Sequence, residues 1–464
     1  MRITVGLAAL ALAALAPATV GAEIVGYYPG WKSAGFAPSA ANIDARKLTV
    51  LMYAFLDTCR DGRHGNPDPA TGGLAPCQDV AGAPSRPADG TLVLADALKD
   101  GANLRALVAL KQANPKLRVL LSVGGWNWSN QFSNLAAAPA ARAAFVASTL
   151  ALLRRFRLDG VDIDWEYPGA VGVACSAGQV CERAADKQNY VVLARELRAA
   201  FDAAGRADGK RYLITIAAGA NASFISDGPQ GGAWIKALAA SLDWINIMSY
   251  DFHMPWEKNS GHLAALDADP ADPLKDGGLH GTASVRRYLA AGVAPQQLVL
   301  GLPFYGHGWK GCAPGAAGDG QYQTCAGAAD GGNDGGSSYS FGHLLQQGLL
   351  LADGRGRYMV GGKGYLRHWN AKAQVPYLHH AGSGNWISYE DEASLRAKAA
   401  YIRKAGLRGA MFWELSADGG QTLGGALAEA LVCRETPPAK SRGRTRRVRP
   451  QAYAFGFCRR PADL

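Results

Sequence analysis

The sequence predicts an α/β protein, a TIM (β/α)8 barrel with a small α+β insertion domain between strands 7 and 8. Three observations predict it. Eight short apolar segments alternate with helical patterns, no glycine-rich nucleotide turn follows the first of them, and one connection of about 80 residues is too long for a strand–helix link.

The strand candidates are Ile24–Tyr28, Thr49–Leu56, Arg118–Val123, Gly160–Glu166, Tyr212–Gly219, Trp244–Tyr250, Leu298–Tyr305 and Gly409–Glu414. Between them, helical faces repeat every three to four residues. Phe145, Thr149, Leu152, Leu153 and Phe156 share one face behind Pro139, which suits a first helical position. Tyr190, Leu193, Ala194, Leu197 and Phe201 share another, and Leu395, Ala399 and Ile402 a third that stops at Gly406. An open doubly wound sheet would carry G-x-G-x-x-G after its first strand, but Tyr27-Tyr28-Pro29-Gly30-Trp31 stands there. The long stretch from Gly306 to Asn385 holds strand-like pieces of its own, Tyr358–Val360 and Val375–His379. The expected organisation is a signal peptide over 1–22, a catalytic barrel over 23–305 and 386–433, the insertion over 306–385, and a basic tail over 434–464.

Composition bounds the function. With 464 residues, 48% hydrophobic and 19% charged, the chain has the balance of a globular protein able to bury a large core. Arg2, the apolar run Ile3–Leu15 and Val20-Gly21-Ala22 read as an export signal; the run is shorter than the about 20 residues a bilayer span needs. The eight cysteines fall into close neighbours, Cys59 with Cys77, Cys175 with Cys181, Cys312 with Cys325 and Cys433 with Cys458. Sequence leaves their connectivity open, and the low cost of closing short loops favours these four local bridges. With no C-x-x-C spacing and no Cys/His cluster, disulfides in an oxidising compartment are the better reading than zinc. The product is therefore expected to be secreted, extracellular or periplasmic. Of the net charge of +10, residues 434–464 hold +7 and Arg2 another +1, so residues 23–433 keep only +2. A body so near neutrality argues against a nucleic-acid partner, and no membrane association is expected. A run such as Lys440–Arg447 is read as a solvated extension.

The chemistry concentrates in Asp159-Gly160-Val161-Asp162-Ile163-Asp164-Trp165-Glu166-Tyr167-Pro168. Strand side chains alternate, so Asp162, Asp164 and Glu166 share one face while Val161, Ile163 and Trp165 share the other. Three carboxylates on an inward face repel one another, which raises at least one pKa and keeps a proton near neutral pH. Glu166 is nearest the strand's C-terminal end, where barrel active sites open, so it is the expected general acid. A salt-bridged core strand would need a cation in the strand, and none is there. An oxygen-ligated metal needs a cage, whereas one strand offers a row. No metal and no cofactor are expected.

These residues resemble the D-x-x-D-x-D-x-E signature of the family 18 glycoside hydrolases, the chitinases, with matches at Asp159, Asp162, Asp164 and Glu166. Ser122-Val123-Gly124-Gly125-Trp126 is similar to the family's third-strand motif, Met248-Ser249-Tyr250-Asp251 to the sixth, Leu302–Gly306 to the seventh and Met411-Phe412-Trp413 to the eighth. The resemblance covers nearly all of residues 24–432 and implies an enzyme, a chitinase that cleaves β-1,4 bonds between N-acetylglucosamine units. It implies that Glu166 protonates the glycosidic oxygen while the substrate's own acetamide attacks through an oxazolinium intermediate, with retention. By the same resemblance Asp164 orients the acetamide, and Asp162 shares its proton network with support from Ser122 and Tyr27. Tyr250 bonds the acetamide oxygen and Asp251 touches the distorted sugar. Trp413, Trp126, Trp256, Phe55 and Tyr305 match cleft positions, with Met248 and Glu257 beside them, while Trp165, Trp234 and Trp244 are read as core. Two positions depart from the pattern: His307 stands where many relatives have arginine, and Met254 where they often have glycine.

Chitin and N-acetylglucosamine oligosaccharides are the expected partners, and a monomer is expected. An endo-β-N-acetylglucosaminidase on N-glycans and a non-catalytic chitin-binding lectin are the alternatives. The insertion, with Trp126 and Trp256, favours chitin over the first; Glu166 argues against the second. A serine hydrolase lacks its G-x-S-x-G elbow here. No separate chitin-binding module is read after Cys433.

Overall fold

Eight parallel strands pair edge to edge until the first meets the last: β1 (Glu23–Pro29), β2 (Val50–Thr58), β3 (Arg118–Gly124), β4 (Gly160–Asp164), β5 (Leu213–Gly219), β6 (Trp244–Met248), β7 (Leu298–Pro303) and β8 (Gly409–Trp413). Strand β1 pairs with β2 on one side and with β8 on the other, which closes the barrel. The structure, a computed structural model, describes residues 21–65, 74–175, 179–227 and 231–432. The expected signal peptide up to residue 20, the basic tail and the Cys433–Cys458 bridge lie outside the described residues.

Strand parity builds two cores. Val161, Ile163 and Trp165 face outward into a layer with Phe132, Tyr190 and Leu197 of the surrounding helices. Val25, Tyr27, Val50, Met52, Leu120, Trp244, Val299 and Met411 fill the barrel interior. Helices Ala97–Ala109, Pro139–Phe156, Asp186–Asp208, Ala233–Ala239, Gly281–Ala290 and Glu392–Ala405 occupy the crossovers from β2 onward, and Thr422–Val432 follows β8. Pro139 is indeed at the start of its helix, and Gly406 ends the helix Glu392–Ala405 in the left-handed conformation. The connection from β1 to β2 differs from the expected pattern. It holds two 3-10 turns, Gly30–Lys32 and Ala45–Lys47, and no α-helix. Gly30, Ser33, Gly35, Pro38, Ser39 and Asn42 crowd that segment with turn formers.

Three strands also stop about two residues before their expected ends, so Glu166, Tyr250 and Tyr305 sit just beyond β4, β6 and β7. Tyr305 instead opens the antiparallel sheet inserted between β7 and β8. Its main path runs Gly327–Ala328, Tyr305–Lys310, Asn385–Ser388, Val375–His380, Leu366–Asn370, with the helix Phe341–Gln346 beside it. This insertion is bonded to the connection after β6: the backbone N–H of Leu263 donates to Ser388 Oγ at 2.9 Å, and that of Leu266 to the Ala373 carbonyl at 2.9 Å. Disulfides join Cys59 to Cys77, Cys175 to Cys181 and Cys312 to Cys325, three of the local pairings expected. No helix among the described residues is long and apolar enough to cross a membrane.

A buried ion pair fastens the last crossover helix. Lys398 and Glu390 are each 2% exposed; the ammonium donates to the Glu390 carboxylate and, at 2.6 Å, to the Ala264 carbonyl. Removing one partner strands the other charge in the interior. Lys398→Met should therefore cost about 3–5 kcal/mol of unfolding free energy, and adding Glu390→Gln should recover much of it. Denaturant midpoints of the two variants check this; equal destabilisation by both would refute the uncompensated-charge account.

Candidate active site

At the centre of the barrel the Asp162 carboxylate is wholly buried and accepts from four strands. Tyr27 Oη of β1 donates to one oxygen at 2.7 Å and Ser122 Oγ of β3 at 2.8 Å; Thr215 Oγ1 of β5 donates to the other at 2.5 Å and Asn246 Nδ2 of β6 at 3.3 Å. Register brings them together, since Ser122 pairs with Asp162 and Asp162 with Thr215 in adjacent ladders. Burial pushes the Asp162 pKa up, and the four hydrogen bonds oppose that rise. Asp159, the first residue of the acidic signature, does a different job. It accepts from Lys111 Nζ at 2.5 Å and from the Val119 N–H at 2.7 Å, just before β4 begins.

One turn of the pleat above Asp162, Asp164 is 4% exposed, and its Oδ1 has no hydrogen-bond partner. Burial raises its pKa well above the usual carboxylate range, and the charges of Glu166 and Asp162 raise it further. Glu166 follows at the mouth. Its pKa is pushed up to about 7 by burial and by the charge of Asp251, against a lowering hydrogen bond with Tyr167. Ser129 holds this end in place: its hydroxyl accepts from the Glu166 N–H at 2.8 Å and lies 2.9 and 3.0 Å from the carbonyls of Gly125 and Asp164. The glycine pair before Trp126 is required by closeness. Gly124 has φ +102, and a Cβ there would sit 2.4 Å from the Asp164 carbonyl oxygen.

Across the mouth, burial and the surrounding carboxylates hold the Tyr250 pKa well above its ordinary value, so it stays a donor. Asp251 has φ +56 and accepts from Tyr305 Oη at 2.8 Å; His307 Nε2 lies 3.0 Å from the same oxygen. Thus His307 takes up the partner of Asp251 at the position where the sequence departs from the family pattern.

A cavity of about 720 Å³ opens over these groups at the C-terminal ends of the strands. Of the sequence-predicted residues, Asp164, Glu166, Tyr250, Asp251, Phe55, Trp126, Met248, Tyr305 and Trp413 line it. Tyr27, Ser122 and Asp162 lie beneath it. Trp256 and Glu257 are not among its lining residues: Trp256 is 76% exposed, and the Glu257 carboxylate bonds His253 and the Met254 N–H. Trp165, Trp234 and Trp244 are buried. The floor is aromatic, with Trp413 stacked 5.5 Å from Phe55 and tilted 6.0 Å from Trp31. Trp31, Trp128, Tyr167 and Phe224 also line the cavity and were not singled out from sequence. Trp31 and Tyr167 had a usable signal, since each lies within three residues of the C-terminal end of a barrel strand. Trp128 and Phe224 belong to loops whose path no sequence pattern indicates.

Residues 23–418 match Glycosyl hydrolases family 18. Chitinase A1 of Niallia circulans is 42% identical over 451 residues, 92% of this chain and 61% of that protein, so the chain spans about three fifths of its length. Among solved structures, chitinase ChiA74 from Bacillus thuringiensis superposes with a TM-score of 0.78 at 37% identity, over 90% of this chain and 71% of that one. A family 18 N-acetylglucosaminidase from Paenibacillus barengoltzii superposes with a TM-score of 0.67 at 29% identity, over 88% of this chain and 100% of that one.

The closeness at Gly124 is directly testable. Gly124→Ala should destabilise the protein by about 1–3 kcal/mol, because the methyl group meets the Asp164 carbonyl at a left-handed backbone position. Thermal unfolding measures it, and a variant with an unchanged midpoint would contradict the described approach of β3 to β4.

Proposed function

The chain belongs to glycosyl hydrolase family 18, and we propose that it is a chitinase that cleaves β-1,4-linked N-acetylglucosamine polymers with retention, by substrate assistance. The observation that carries this reading is the pairing of a carboxyl poised near neutrality, Glu166, with a buried Asp164 whose Oδ1 has no hydrogen-bond partner, under an aromatic cavity.

Protonated Glu166 gives its proton to the glycosidic oxygen as the C1–O bond breaks. The acetamide carbonyl oxygen of the same sugar attacks C1 from the opposite face, forming the oxazolinium ring. Asp164 takes the acetamide N–H on its carboxylate and stabilises the positive ring, while Tyr250 donates to the acetamide oxygen and aligns it. The Glu166 carboxylate then removes a proton from water, which attacks C1 and opens the ring. Asp162 acts from below: its four donors hold it, and its charge raises the pKa of Asp164. Trp413, Trp126, Phe55 and Tyr305 offer flat faces to sugar rings, with Met248 and Asp251 at the same subsite, and Trp256 reaches substrate that extends past the cavity. The division into a barrel, 23–305 with 386–433, and an insertion, 306–385, is part of this reading. So are export of the protein, which its disulfides and N-terminal apolar run support, and action as a monomer, since one chain builds the whole cavity.

Glu166→Gln should lower kcat on N-acetylglucosamine oligomers by at least about 10²–10⁴-fold. The pH dependence follows from the same group. Because the Glu166 pKa is raised to about 7, the donor form persists at neutrality and is lost as pH rises through that value, so kcat/KM should fall on the alkaline side of about 7. A wild-type rate that stays level to pH 9 would reject Glu166 as the acid.

Substrate assistance demands an N-acetyl group at the cleavage site. Chitosan without acetyl groups and cellulose should remain uncut, and the first product read by NMR should be the β-anomer. An initial α-anomer would exclude the mechanism. Release of intact glycan from a glycoprotein, or of single sugars alone from a chitin oligomer, would favour an endo-β-N-acetylglucosaminidase or an N-acetylglucosaminidase instead. Binding of oligomers without hydrolysis would favour a lectin.

A further inference from the structure

Between β6 and the helix Gly281–Ala290 the chain makes a long connection whose one regular element is a 3-10 turn, Lys275–Gly277. Its start carries Asp251, and five residues on stands Trp256. Inside it His253 is 3% exposed, with Nδ1 2.8 Å from Glu257 Oε2 and Nε2 3.0 Å from Asp272 Oδ2. Both ring nitrogens face carboxylates, so the arrangement is satisfied only when both carry protons. The ring also rests on the Gly261 backbone, where a Cβ would lie 2.3 Å from His253 Cγ. The second Glu257 oxygen accepts from the Met254 N–H at 3.1 Å, and the Glu257 N–H donates to the Met254 carbonyl at 2.9 Å. The turn 253–257 is thus closed on itself with Trp256 on it, the most exposed of the large hydrophobic residues described. The far anchor is firm: the Asp272 N–H donates to the Asp269 carbonyl at 3.1 Å, and the Asp269 side chain accepts from Asn370 Nδ2 at 2.6 Å in the insertion. Asp251, by contrast, has its own partners in Tyr305 and His307.

We propose that His253, clamped between Glu257 and Asp272, is a positioning residue that presents Trp256 as a stacking platform for N-acetylglucosamine units lying beyond the cavity. The proposal rests on the chitinase reading and makes Glu257 a strut of the loop, not a sugar ligand. Burial lowers the His253 pKa, but the hydrogen bonds and charges of Asp272 and Glu257 outweigh it and hold it at about 9. His262, the other titratable group beside it, is held down to about 4, chiefly by burial, and stays neutral. With its pKa raised, the clamp's contribution is fully present below the ordinary histidine value of about 6.5 and is lost as pH rises through about 9.

The test compares the N-acetylglucosamine hexamer with a chromogenic substrate short enough to stay inside the cavity. His253→Gln and Asp272→Asn should each raise KM for the hexamer by about three- to tenfold, the range of one lost aromatic contact, with kcat on the short substrate changed by less than about twofold. Trp256→Ala should reproduce that KM, and combining it with His253→Gln should add nothing further. In a Glu166→Gln background, hexamer affinity should weaken as pH rises through about 9, and Asp272→Asn should move that loss to lower pH. An unchanged hexamer KM, additive effects with Trp256→Ala, or equal losses on both substrates would overturn the clamp while leaving the chitinase reading intact. A wild-type protein inactive on both substrates would remove that reading, and the clamp proposal with it.

Discussion

A carboxylate with no access to water must find its hydrogen bonds inside the protein, and Asp162 finds four of them on four different strands. That requirement organises the barrel interior. Tyr27, Ser122, Thr215 and Asn246 can meet on one carboxyl group only if their strands hold the observed register, because a shift by one residue would turn each side chain to the outer face. The acidic centre and the closure of the sheet therefore depend on each other.

The chemistry above it follows from a gradient of solvation along β4. Asp162 is saturated with donors, Asp164 lacks one, and Glu166 reaches the mouth with Tyr167 as its partner. Burial raises all three, repulsion from neighbouring carboxylates adds to the rise at Asp164 and Glu166, and each holds its proton more tightly than a free carboxyl does. Asp251 extends the acidic ring from β6 and adds to the rise at Glu166. One of its oxygens is met by Tyr305 and His307, which belong to the first strand of the insertion. The inserted sheet thus reaches the carboxylates at the barrel mouth through its opening residues.

The same insertion braces the connection after β6. Backbone bonds from Leu263 and Leu266, the Asp269–Asn370 contact and the Lys258 carbonyl accepting from Cys325 N–H at 2.9 Å tie that loop to it along much of its length. The Cys312–Cys325 bridge lies at this junction. A loop without regular structure is otherwise mobile; here side-chain and backbone bonds replace a helix in fixing it.

Much of this was legible in the residues themselves. Apolar periodicity located eight strands, because each must bury both faces of a parallel sheet, and alternation along Val161–Glu166 separated the acids from the core side chains. Local cysteine spacing matched the three bridges described. What sequence missed was set by contacts distant along the chain. Periodicity ran past the ends of β4, β6 and β7, since nothing local shows where a ladder loses its partner. The fold set His253 between Glu257 and Asp272, a pairing that no spacing indicated, and Trp128 and Phe224 reach the cavity through loops whose course is settled by packing. The sequence by itself determined the barrel, the acidic row and the inward face of each strand, because period and charge are local properties. The tertiary structure alone decided which side chains share the cavity, how far burial lifts each carboxyl, and which charges pair, because those depend on distances between residues far apart in the chain.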